Sequence, residues 1–356
     1  MNPKQSYLNL EEQLKEWYAS HTFHYKQFSD VKELVRLKQK QDITISCGIP
    51  TFNEEKTIGK IVKTLWENLV KKYPLIDELA VIDSNSTDNT REEALRYNAD
   101  VYLADQYLRN YGIHKGKGEN LWKSLYLLKG DIIVWIDADI KNIHPRFVYG
   151  LIGPLLKNKE LGYVKAFYKR PLNIGKFHSK NDGGRVTECT VRPIFNLFFP
   201  ELSYIVQPCS GEYAGRRELL EQLEFPVGYY VEASHLIQIV KNFGLDVLTQ
   251  VNLEERVHRN KKTIELGKMS FGILHGIFNT LRERGYNIKE LNSLYRLPVV
   301  DIDPPGFKKV EIDSTIRPPM ETIKEYQEKH YSIIKKPIIE PKQEIISFEL
   351  YAISKA

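Results

Sequence analysis

An α/β fold built on a mostly parallel sheet flanked by helices is what this sequence predicts, on three observations. Between Thr44 and Asp139, strand-like apolar runs alternate with stretches of helical period, the pattern of parallel strands joined by right-handed crossovers. Each principal strand-like run ends in a polar cluster: "GIPTFNEE", "DSNSTD" and "DAD". Ligands of such sheets bind outside the carboxyl ends of the strands. The composition, 42% hydrophobic and 27% charged over 356 residues, is that of a folded globular protein.

Residues 1–40 read as amphipathic helices without chemistry. "ITISCGIP" then reads as a buried strand and "TFNEEKTIGKIVKTLWENLVKKY" as a helix, with Ile58, Ile61, Val62, Leu65 and Leu69 at helical spacing. Asn53 is placed as its N-cap, with Glu54 and Glu55 favouring the first turn. "ELAVIDSNSTDNT" follows as strand and turn, "REEALRYN" as helix, "ADVYLA" as a short strand, "GENLWKSLYLLK" as helix and "DIIVWIDAD" as strand. After Arg296 the chain becomes proline-rich, with a helical stretch near "ETIKEYQEKHY" and a strand-like "EIISFELYAI". This tail is expected to wrap the main domain or a second subunit. The predicted units are 1–40, a helical segment; 41–290, the main domain; and 291–356, the extension.

Composition narrows the function. The net charge of +5 is mild and dispersed, which argues against nucleic-acid binding and suits phosphorylated small molecules. Cys47, Cys189 and Cys209 show neither paired nor metal-ligand spacing, so a reducing cytoplasm is expected. The polar N-terminus is not a signal peptide, and no apolar run approaches the ~18 residues of a membrane span.

Five stretches carry candidate chemistry. In "VWIDADI", Asp137 and Asp139 fall at strand spacing and so share a face, where they repel unless a cation lies between them. An isolated D-x-D is usually a solvated strand end. After a buried strand, among other polar strand ends, it reads as a Mg²⁺ or Mn²⁺ site holding a diphosphate. "DSNSTDNT" is a turn whose Ser84 is placed to bond a base or ribose; its plainer reading is an Asx turn. In "HKGKGEN", glycines flank Lys117 just before a helix, a cradle for an anion, though not a Walker A loop. "NDGGRVTE" offers exposed amides and Arg185 to a phosphate or carboxylate, or is a glycine turn with a surface arginine. "ERVHRN" contributes His258 among Arg256, Arg259 and Asn260. A lone histidine is more often structural, unless it faces a metal.

Taken in order, "IPTFNEE", "DSNSTDNT", "GKGENLWKSL", "DIIVWIDADI", "GGRVTE", "QPCSGEYAG", "GYYVE" and "QVNLEERVHRN" resemble the glucosyl-3-phosphoglycerate synthase family, retaining glycosyltransferases of the GT-A, Rossmann-like fold. The likeness runs from about Thr44 to Ser270. The first two motifs are shared by many nucleotide-sugar transferases, whereas the combination of "GGRVTE", "SGEYAG" and "VHRN" is much more specific.

The resemblance implies metal-dependent transfer of glucose from UDP-glucose to the 2-hydroxyl of 3-phosphoglycerate, by a homodimer. Pro50, Thr51, Asn53, Glu54 and Ser84 would line the uridine pocket, and Lys117 would reach the diphosphate. Asp137 and Asp139 would form the metal-binding pair, with Asp139 and His258 as direct ligands. Gly184, Arg185, Val186 and Thr187 would hold the acceptor, with Asn260 nearby. Glu232 would lie close to sugar and acceptor, making Glu232, Asp139 and Arg185 the expected catalytic set. Two departures stand out. Asn85 replaces a common glycine and can take the same left-handed conformation; Cys209 contributes packing or a backbone carbonyl and is not read as a nucleophile. Transfer of mannose from GDP-mannose remains an alternative. A sugar-phosphate nucleotidyltransferase is a second, disfavoured because no glycine-rich signature fills the first strand-to-helix loop. A non-enzymatic sugar-nucleotide sensor is the third.

Overall fold

The computed structural model describes residues 3–174, 177–180, 182–299 and 306–330. Along the chain come β1 (Thr22–His24), β2 (Ile45–Thr51), β3 (Glu78–Asp83), β4 (Asp100–Leu103), β5 (Ile132–Trp135) and β6 (Tyr163–Lys169). β7 (Leu172–Ile174) and β8 (Phe177–Ser179) form a separate ribbon. β9 (Tyr213–Arg216) and β11 (Leu248–Glu255) rejoin the main sheet. β10 (Phe225–Pro226) pairs instead with β14 (Ile316–Arg317), while β12 (Leu294–Val299) pairs with β13 (Gly306–Glu311).

The eight-stranded sheet has the order β1-β11-β6-β9-β5-β2-β3-β4. Every neighbouring pair is parallel except those of β9, which runs antiparallel to both β5 and β6. The mostly parallel sheet read from the sequence is therefore present. The reversal of β9 has a consequence for the site: its first residues lie at the edge where β2, β3, β5, β6 and β11 end. Residues from six strands thus converge on one rim.

Both faces of the sheet are buried, which explains why its strands read as continuous apolar runs. Leu79, Val81, Ile132 and Val134 face one core, with Ile58, Ile61, Val62 and Leu65 of the helix Ile58–Leu65. Their chain neighbours Ala80, Ile82, Ile133 and Trp135 face the other, with Leu121 and Leu125 of the helix Lys117–Leu127 and Leu236 of the helix Val231–Phe243. The period of two along each strand separates the two sets.

Several local expectations change. The first crossover helix starts at Ile58, with Thr57 at the N-cap position but its hydroxyl donating to the Ala138 carbonyl, and continues beyond Leu65 as a π-helix over Trp66–Lys72. Asn53 is not its N-cap. It takes a left-handed conformation, φ 55°, and its Oδ1 accepts from the Thr87 N–H at 2.9 Å, so its side chain ties two loops together. Asn85 is left-handed as expected, φ 61°. The strand "DIIVWIDAD" ends at Trp135, leaving both aspartates in the turn beyond it. Residues 3–41 form the helices Pro3–His21 and Val31–Gln41 as read, but β1, β6, β9 and β11 had not been recognised as strands. In the tail, Lys324–His330 is helical, while "EIISFELYAI" lies outside the described residues. No helix among the described residues is long and apolar enough to cross a membrane.

Candidate active site

At the convergent rim an open cleft of about 670 Å³ is lined by every expected substrate, metal and catalytic residue except Asn53. Pro50, Thr51, Glu54 and Ser84 come from the ends of β2 and β3 and the loops after them. Ser84 is set by a tight turn: Asp83, fully buried, accepts from the Ser86 N–H at 2.9 Å and the Ser86 hydroxyl at 2.5 Å. Gly184, Arg185, Val186 and Thr187 form another wall, and His258 and Asn260 follow β11.

The floor is a connected set of charges. Arg256, 2% exposed, donates from one nitrogen, Nη2, to Asp137 Oδ2 at 2.9 Å and to Asp139 Oδ1 at 2.7 Å. Its Nε reaches Glu212 Oε1 at 2.8 Å, and the Tyr168 hydroxyl donates to the other Glu212 oxygen at 2.5 Å. Lys117 Nζ donates to Asp137 Oδ1 at 2.7 Å and lies 2.8 Å from Glu232 Oε1. A cation does lie between the paired aspartates, therefore, and in this structure it is a guanidinium. Arg256 stood in a motif noted above, but nothing local to it identified its partners. Glu212 was not singled out at all.

These pairings set the protonation states. Burial opposes the charge on Lys117, but Asp137 and Glu232 outweigh it and hold its pKa well above the ordinary lysine value. Burial likewise opposes ionisation of Asp137, and Lys117 followed by Arg256 reverses this, pulling its pKa far down. Glu54 moves up, through burial and then repulsion from Asp139. Burial raises the Cys209 thiol to about 11, so it is not a thiolate nucleophile at neutral pH.

His258 and Asp139 suit a divalent cation. Burial, then Arg256 and Arg170, pushes the His258 pKa down to about 3, leaving the neutral imidazole that metals require. Its Nδ1 is buried without a hydrogen-bond partner, while Nε2 lies 3.3 Å from Arg170 Nη2. Among the described residues no three His, Cys, Asp or Glu side chains gather at metal-binding distance. A cation here would draw its remaining ligands from substrate and water, the habit of Mg²⁺ beside phosphates.

Across the cleft, Arg185 Nη1 donates to Thr263 Oγ1 at 2.7 Å and Nη2 to the Lys261 carbonyl at 2.6 Å. This fixes the Gly183–Thr187 turn against the start of the helix Thr263–Glu283, which adds Leu266, Met269 and Ile273 to the wall. Glu188 lies in the first turn of the π-helix Thr187–Val191 and pairs with Arg192 at 2.7 Å on the exposed side.

The profile described as Glycosyl transferase family 2 matches residues 46–223. A glucosyl-3-phosphoglycerate synthase of Petrotoga mobilis is 51% identical over 321 residues, 89% of this chain and 98% of the relative. Among solved structures, a mannosyl-3-phosphoglycerate synthase from Rubrobacter xylanophilus is similar at TM-score 0.79 and 33% identity, over 87% of this chain and 99% of that one. The Mycobacterium tuberculosis glucosyl-3-phosphoglycerate synthase in complex with Mn²⁺, UDP-glucose and phosphoglyceric acid is similar at TM-score 0.74 and 37% identity, over 85% and 98%.

Proposed function

Because this chain belongs to glycosyl transferase family 2 and, within it, to the glucosyl-3-phosphoglycerate synthases, we propose that it transfers glucose from UDP-glucose to the 2-hydroxyl of 3-phosphoglycerate with retention of configuration. It is a glycosyltransferase with a GT-A fold. The observation that carries the finer reading is the floor of the cleft, where Lys117, Arg256, Asp137, Asp139 and Glu232 interlock opposite the Gly183–Thr187 turn. This supports cationic and metal-holding groups on one side of the cleft and an anion-holding turn on the other. Residues 41–290 form the transferase unit in this reading.

In this reading the residues take the following roles, which their positions around the cleft support. Pro50, Thr51, Glu54 and Ser84 hold the uridine, and Asn53 acts behind them by tying the loop. Lys117 presents its ammonium to the diphosphate, and Arg256 holds Asp137 and Asp139 side by side. Arg185, the Gly184 and Val186 backbone, Thr187 and Asn260 receive the acceptor's phosphate and carboxylate. Mg²⁺ or Mn²⁺, held by Asp139 and His258, would offset the charge that develops on the departing diphosphate. Glu232 is held at 2.8 Å by Lys117, a tether that suits positioning better than proton abstraction.

Mannosyl transfer is the second reading, favoured by the TM-score of 0.79 to the Rubrobacter enzyme. Fold similarity does not choose between sugars, and 51% identity to a glucosyl enzyme outweighs 33% to a mannosyl one. Incubation with UDP-glucose or GDP-mannose, 3-phosphoglycerate and Mg²⁺ tests it directly. Acceptor-dependent UDP release is expected; GDP release from GDP-mannose in its place would overturn the glucosyl assignment.

A further inference from the structure

We propose that Arg317, in the C-terminal extension, is a positioning residue for Lys117, so that the extension completes the donor side of the active site. Arg317 is 3% exposed and stands 198 residues from Glu119 in sequence. Its Nε and Nη2 donate to the two oxygens of Glu119 at 2.6 and 2.7 Å. Nη1 donates to the Tyr111 carbonyl, and Nη2 to that of Gly112 at 3.0 Å. One guanidinium therefore gathers both the loop before the helix Lys117–Leu127 and that helix's first turn, two residues from Lys117.

The clamp has a second jaw. β14 carries Arg317 beside Phe225 of β10, and the Glu119 N–H donates to the Val227 carbonyl at 3.3 Å. Gly116 and Gly118 lie so close to this segment that a Cβ would stand 2.2 Å from the Val227 oxygen and 1.8 Å from that of Pro226. Side chains are excluded on both sides of Lys117 because backbone packs there. Further out, His114 Nδ1 meets Asp313 Oδ2 at 2.6 Å, and the Trp122 indole donates to the Pro318 carbonyl at 2.9 Å.

The physical logic is orientation. Lys117 bridges Asp137 and Glu232 from a long, flexible side chain, so its ammonium is only as well placed as its backbone. A displacement of about 1 Å in a group acting on the reacting centre can cost on the order of 10²-fold. A planar, bidentate guanidinium fixes the turn in a way a lysine at 317 would not. The proposal rests on the reading that Lys117 serves the diphosphate.

A double-mutant cycle separates positioning from general stability. Donor kcat/KM is measured, well below the melting temperature, for the wild type, Arg317→Met, Lys117→Met and the double variant. Arg317→Met should lose roughly 10- to 100-fold, and the double variant should be no worse than Lys117→Met alone. Losses that multiply would overturn the proposal. Should Arg317→Met fail to fold, Glu119→Gln takes its place in the cycle with the same two outcomes. Should Lys117→Met turn over like the wild type, the reading of Lys117 falls by itself. Amide exchange over residues 116–120 then decides the brace: faster exchange in Arg317→Met supports it, and unchanged exchange overturns it.

Discussion

Two lysines stand on the same face of the sheet and meet opposite fates. Lys117, at the cleft, is 15% exposed in its side chain and bonded to two carboxylates. Lys165, on β6, is 0% exposed, and its Nζ has no hydrogen-bond partner; it lies 4.3 Å over the Tyr213 ring. Around it the Tyr163 and Tyr213 hydroxyls and both ring nitrogens of His235 are also buried and unpartnered. Burial lowers the Lys165 pKa to about 8 and that of His235 to about 3. The difference lies in pairing, since both lysines are largely removed from water. At the cleft, charge is retained because each ion has a bonded counter-ion; behind it, burial outweighs the pull of Glu232 on Lys165 and drives the groups toward neutrality.

The strongest way to break the paired side is Asp139→Ala. It removes the carboxylate proposed to hold the metal and leaves the diphosphate's charge uncompensated, so turnover should fall by at least ~10³-fold. Chelation with EDTA should silence the wild type, and Mg²⁺ or Mn²⁺ should restore it. A variant that keeps half its activity in saturating metal would remove Asp139 from the site.

Lys117→Met attacks the same network through stability. Breaking a buried pair while leaving a charge behind costs ~3–5 kcal/mol; the partial exposure of Lys117 argues for about 3 kcal/mol. Urea unfolding of the protein without ligands checks this, and a change under about 1 kcal/mol would mean that Glu232 and Asp137 find other partners. Arg185→Ala touches the opposite wall. A charge-assisted contact to phosphate or carboxylate contributes ~1.5–3 kcal/mol, so acceptor kcat/KM should fall roughly ten- to a hundred-fold. Donor hydrolysis without acceptor should survive. Loss of donor affinity instead would put the Gly183–Thr187 turn on the wrong substrate.

What the sequence disclosed follows the same division. Asp137, Asp139 and Lys117 were legible because spacing and flanking residues mark them locally. Their compensation was not: Arg256 reaches Asp139 across 117 residues and Arg317 reaches Glu119 across 198, and no local pattern encodes such pairs. Asn53 was misread because an Asn before a helical stretch fits an N-cap, while its actual partner, the Thr87 N–H, sits 34 residues away. The first strands were found from continuous apolar runs. β6 and β11 escaped because polar residues such as Lys165 and Gln250, both fully buried, interrupt the pattern. A buried polar residue in a strand looks like a surface one until its neighbours are known.

Lys165 gives the smallest and most diagnostic effect. Its folded pKa of about 8 lies below the ordinary value of 10.5, so the unfolded chain binds more protons between those values. Stability should therefore rise with pH from about 8 towards 10.5 as the buried ammonium sheds its proton, reversing the usual alkaline decline. Between pH 7 and 9 the gain amounts to roughly 1 kcal/mol, before tyrosines in the unfolded chain begin to ionise. Lys165→Met keeps the stem and removes the charge, so it should raise stability at pH 7 and erase the gain between pH 7 and 9. Paired urea titrations of both proteins at the two pH values read this out as a difference in which other groups cancel. Were the variant less stable at pH 7 with the slope intact, Lys165 would have to be ion-paired in solution, and the contrast between the two lysines would disappear.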